Sequence, residues 1–122
     1  MAAPNIVNVT SIYGKTKGAA LGTTTTTQIL SCPSNKVLKI NTIIVSNVDG
    51  TNNADATVYF YDSSAAARYA LASTITVPAD TTLVVVGKDN PIYLEESDEI
   101  EAGASASGDL QIIISYEEID DA

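Results

Sequence analysis

The chain has 122 residues, 45% of them hydrophobic and 17% charged, with a formal net charge of −9; this length fits one domain, and this hydrophobic share excludes a disordered chain. Histidine is absent and Cys32 is the single cysteine, which excludes an intrachain disulfide, a His/Cys metal centre within one chain and any nucleophile activated by an imidazole. Residues 1–61 sum to +2 and residues 62–122 to −11, with no basic residue beyond Lys88, so neither nucleic acid nor an anionic membrane is an expected partner.

The N-terminal stretch MAAPNIVNVT lacks the positive start and apolar centre of a secretory signal, and no stretch approaches the roughly 20 apolar residues of a membrane span. Synthesis and folding in a cytoplasm are expected. Period-2 alternation then recurs along the chain, while period 3.6 hardly appears. Val7, Val9 and Tyr13 share one face of a first strand, opposite Asn8 and Thr10, and Gly14 is expected to end it. The run GTTTTTQIL, 22–30, reads as an exposed, β-prone approach to a short strand ending at Cys32, whose thiol is expected to be a small buried apolar group. Pro33-Ser34-Asn35 turns the chain.

In KVLKINTIIVSNV, 36–48, Val37, Ile43 and Val45 fall on one face and Leu38, Ile40 and Ile44 on the other. Two apolar faces predict a central strand, covered by a second sheet on one side and by a neighbouring chain or arm on the other. DGTNNAD, 49–55, is a loop with Asp49, Thr51 and Asn53 at calcium-loop spacing, but Ala54 stands where that loop needs Gly and the closing Glu is missing. DATVYFYD alternates Ala56, Val58 and Phe60 against Thr57, Tyr59 and Tyr61. SSAAARYALAS, 63–73, has helix propensity, yet Tyr69, Leu71, Ile75 and Val77 keep alternating, so a loop with at most one helical turn followed by a strand is expected. DTTLVVVG, PIYLE, DEIEAGA and DLQIIISYEEI supply the remaining strands.

About nine or ten short strands with close turn signals predict an all-β, antiparallel β-sandwich or jelly-roll-like domain over residues 1–122. Residues 1–35 are an N-terminal arm or edge strands. Glu95, Glu96, Asp98, Glu99 and Glu101 crowd one short stretch. Leu94 and Ile100 bracket it as the apolar positions of a hairpin, which puts these acids at a solvated turn. A cation held between subunits and paired acid/base chemistry are the competing readings, but acid/base pairs need a cleft that separates their pKa values. No catalytic residue, cofactor or metal ligand is therefore assigned. Tyr13, Tyr59, Tyr61 and Tyr69 are the candidate interface residues, since tyrosine uses both ring and hydroxyl at contacts.

From Lys36 onward, KVLKINTIIVSNVDG, ATVYFYD, YALASTITVPADTTLVVVGKDNPIYLEESDEIEA and GDLQIIISYEEI resemble, in this order, small virion structural proteins of tailed, particularly marine, bacteriophages. The resemblance covers residues 36–119. It implies a β-sandwich that attaches in many copies to a head or tail, with no catalytic residue to transfer, and a place in the virion. Other virion proteins are then partners; further copies are expected from the exposed sheet edges of a small sandwich, on which the N-terminal arm of a neighbour could add a strand, as a trimer rather than a hexamer. Complementary charge is one means by which the basic and acidic ends could meet between copies. The alternative is a carbohydrate-binding or adhesion module, in which the exposed tyrosines stack on sugar rings.

Overall fold

The computed structural model of the chain describes residues 9–121; Val7 and the rest of residues 1–8 lie outside them. The alternating segments form β1 (Val9–Ala20), β2 (Gln28–Ser31), β3 (Lys36–Asn47), β4 (Ala54–Asp62), β5 (Ala67–Val77), β6 (Thr82–Val86), β7 (Ile92–Leu94), β8 (Glu99–Ala104) and β9 (Leu110–Asp121). One sheet has the order β1-β9-β3-β6, with β7 also paired to β3; the other has the order β2-β8-β4-β5. We call them sheet A and sheet B. β1 pairs with β9, β2 with β8, β3 with β6 and β7, and β4 with β5, all antiparallel. These nested pairs alternate between the two sheets, which makes the β-sandwich a jelly roll.

Inward residues of both sheets form the core: Leu38, Ile40, Ile43, Val45, Leu110, Ile112 and Ile114 from sheet A meet Val58, Ile100, Ala102 and Ala104 from sheet B. β3 corrects the two-faced expectation. Its register with β9 slips between Ile40 and Thr42, so that Asn41 is an extra residue. One inserted residue exchanges the faces of everything beyond it. Leu38 and Ile40 before the bulge and Ile43 and Val45 after it therefore all point inward, and Ile44 is left on the outer face. Val37 and its cross-strand partner Ile119 are buried apart from the main cluster.

One further expectation changes and two hold. β1 does not end at Gly14 but runs on to Ala20, because β9 supplies a ladder partner at each step from Gly14↔Glu117 to Ala20↔Gln111. As expected, residues 63–66 are a loop, a turn closed by Ala66 N–H donating to Ser63 O at 3.2 Å, and the strand β5 follows; strand pairing with β4 overrides the helix propensity of alanine. The threonine run is the exposed approach to β2 that was expected, with Thr23, Thr24, Thr26 and Thr27 exposed, and it is held as a strap against β8. Ala104 N–H donates to Gly22 O at 2.8 Å and Ala102 N–H to Thr27 O at 3.0 Å. Between those anchors the strap crosses Gly103 so closely that a Cβ there would lie 2.6 Å from Thr25 Cα and 2.7 Å from Thr24 O.

Candidate functional site

The acidic stretch is not a hairpin. β7 belongs to sheet A and β8 to sheet B, so Glu95–Asp98 carries the chain from one sheet to the other. Leu94 packs inward beside Leu38, and Ile100 packs inward beside Phe60 and Leu30. A crossing segment is trapped between the layers at both ends, which draws its carboxylates into the structure.

Asp98 is only 4% exposed. Its carboxylate accepts from Glu95 N–H and from Ser63 N–H, each at 3.0 Å, and so joins the crossover to the β4–β5 turn. The Asp98 carbonyl accepts from Cys32 N–H at 3.0 Å, and Ser97, in the left-handed region with φ 71°, donates its N–H to Cys32 O at 3.0 Å. Glu96 accepts from Asn35 N–H at 2.7 Å. Two chain turns, β2–β3 and β4–β5, thus converge on one acidic segment.

Glu101 stands on the outer face of sheet B yet is also 4% exposed. Arg68 of β5 reaches it in a fork, Nε at 2.8 Å and Nη2 at 3.4 Å, and the guanidinium lies over the Tyr61 ring, 5.3 Å from its centroid. Carboxylate and ring fix the same planar group from two directions. Burial, followed by the Glu101 charge beside it, pushes the Glu99 carboxyl above the ordinary glutamate value, while Arg68 opposes the shift. Of the five acids expected in solvent, Glu95 alone is exposed. Among the described residues, no group of three or more His, Cys, Asp or Glu side chains is placed to hold a metal ion.

The loop with calcium-like spacing uses its oxygens internally. Asp49 accepts from Thr51 N–H at 2.8 Å, Asn52 N–H at 3.2 Å and the Asn52 side-chain amide at 3.2 Å; the two backbone donors, ahead of that amide, hold its carboxyl below the ordinary aspartate value. Asn47, buried at the end of β3 and missed by sequence reasoning, organises the loop. Its amide donates to Asn52 O at 3.0 Å and Val77 O at 2.9 Å, and its oxygen accepts from Asp49 N–H at 2.8 Å. An asparagine closing an apolar strand just before Asp-Gly was the available signal. Cys32 is buried, as its setting implied, with its thiol donating to Lys36 O at 3.2 Å and burial pushing its pKa up to about 11.

The four tyrosines do not form one patch. Tyr59 and Tyr61 share the outer face of sheet B, paired with Glu101 and Glu99. Tyr69 pairs with Phe60 and so points to the other side of that sheet, while Tyr13 lies on β1 of sheet A beside Glu118; both are exposed. Charge complementarity along the sequence is met within the chain: Lys15 lies 3.2 Å and Lys36 3.5 Å from Glu118, and Lys36 also pairs with Asp120. β9 brings the acids between the lysines of β1 and β3.

Sequence reasoning also missed the outer face of sheet A. Val84, Ile44, Ile113 and Gly18 are cross-strand partners in one row from β6 to β1, with Val84 62% and Ile113 40% exposed. The slipped register of β3 hid this row, because strict alternation assigned Ile44 to the wrong set of neighbours. No protein-family model and no curated protein matches this chain.

Proposed function

We propose that the chain is a non-enzymatic structural protein of a bacteriophage particle, a capsid decoration or tail-associated subunit. It associates with its own copies, as a trimer, and docks on a larger lattice of other virion proteins. The observation that carries this reading is the use of the acidic crossover: Asp98 and Glu96 accept backbone N–H groups from the crossover itself and from two other turns, and Glu101 is forked by Arg68. The residues best suited to chemistry are committed to rigidity, which suits a building block. Jelly rolls are among the architectures of viral capsid domains, and residues 36–119 carry the resemblance to small virion proteins. A sugar-binding module would need rings that converge, whereas Tyr61 has one face covered by Arg68, and Tyr13 and Tyr69 lie elsewhere.

Two measurements test the proposal. Light scattering after gel filtration should give the mass of a trimer; a monomer at high concentration would overturn self-association. Mass spectrometry of purified phage particles should find peptides of this chain banding with the particles in many copies. Peptides confined to the soluble lysate would overturn the virion assignment.

A further inference from the structure

We infer that the outer face of sheet A is the surface by which copies of this chain meet, an inference that rests on the self-association proposed above. The bulge at Asn41 turns Ile44 outward, and Val84 on one side and Ile113 and Gly18 on the other complete an apolar row across four strands. Side chains in the rows above and below it are Ser, Thr, Gln and Ala. Three successive rows are therefore uncharged in a chain whose net charge is −9. Copies of one acidic chain repel each other, and they approach at least cost through a patch that carries no charge, which on this face is bounded by the row of Lys39 and Glu117.

The occupant is a second copy rather than a charged partner, because the three rows offer a cation or an anion nothing to pair with. Its edge is less suited to self-pairing: β1 carries Lys15 and Lys17, and lysine on an edge strand discourages strand addition. Glycine at position 18 removes the bulk that would hold a neighbour off. Four strands about 4.8 Å apart and seven residues at about 3.3 Å each give roughly 450 Å² of plan area. Two such faces then remove about 900 Å², the size of a weak contact, which repeated attachment to a lattice would reinforce. With these faces turned toward one another about the assembly axis, sheet B and its acids face outward.

The test compares the solution mass of the wild-type chain with Val84→Glu, Ile113→Glu, Ile113→Gln and, as a control on a distant exposed turn, Ala65→Glu. Circular dichroism melting establishes which variants fold. The expected result is an oligomer for the wild type and for Ala65→Glu, and a fall to single-copy mass for the folded face variants, with Ile113→Gln the mildest. Folded face variants that keep the wild-type mass would overturn this inference while leaving self-association intact. A monomeric wild type would overturn both, and if its face variants were also lost from phage particles, a different virion protein would be the occupant.

Discussion

A buried carboxylate that accepts two part-buried backbone N–H groups leaves both donors without a protein partner when it is removed, and the penalty for an unsatisfied donor away from water exceeds the net worth of the bond it made. Asp98 is in that position between Glu95 and Ser63. Asp98→Ala should therefore lower unfolding stability by about 3 kcal/mol, and Asp98→Asn by about half that, because the amide keeps one acceptor oxygen. Urea unfolding checks this; a midpoint unchanged in the alanine variant would mean that water replaces the carboxylate. The spacing of Glu95, Glu96 and Asp98 was legible in the sequence, but the burial of Asp98 was not. A hairpin turn and a crossing between sheets both need two apolar positions flanking a polar group, and only the identity of the strands on either side separates them.

At the scale of elements, alternation reveals that a strand exists, whereas its neighbours depend on register. The strands after Pro33 and the jelly-roll class were readable from period 2 and turn residues. The faces of β3 were not, because nothing in KINTI marks Asn41 as the inserted residue. The exposure of the threonine run was legible because Thr is polar and β-prone, whereas its close crossing over Gly103 was not, because the glycine lies far away in the chain. That glycine provides the second measurable consequence. Gly103→Ala would drive a methyl group into the Thr24–Thr25 backbone, which cannot rotate aside as a side-chain tip could. The expected cost is about 1–3 kcal/mol, typical of overpacking. Gly14→Ala, where a Cβ meets nothing within 4 Å, should change stability by no more than about 0.5 kcal/mol. Equal melting temperatures for the two variants would show that the strap gives way freely.

For the whole molecule, the charge imbalance along the sequence does not become two oppositely charged ends available to neighbours. β9 places Glu118 and Asp120 against Lys15 and Lys36 within the same chain, so much of the positive charge is neutralised internally and a net excess of acid remains. In the self-association proposed above, assembly would have to overcome repulsion between acidic copies, with the apolar row supplying the attraction. Salt separates this from assembly by ion pairs, since the screening length falls from about 10 Å at 0.1 M to about 3 Å at 1 M ionic strength. If copies join through Val84, Ile44 and Ile113, raising sodium chloride across that range should shift the dissociation midpoint to lower protein concentration, because repulsion is screened and burial of apolar surface is not weakened. Sedimentation equilibrium at the two salt concentrations measures the shift directly. Dissociation promoted by salt would instead require ion pairs across the interface, and would move the contact away from sheet A to the charged surfaces of the sandwich.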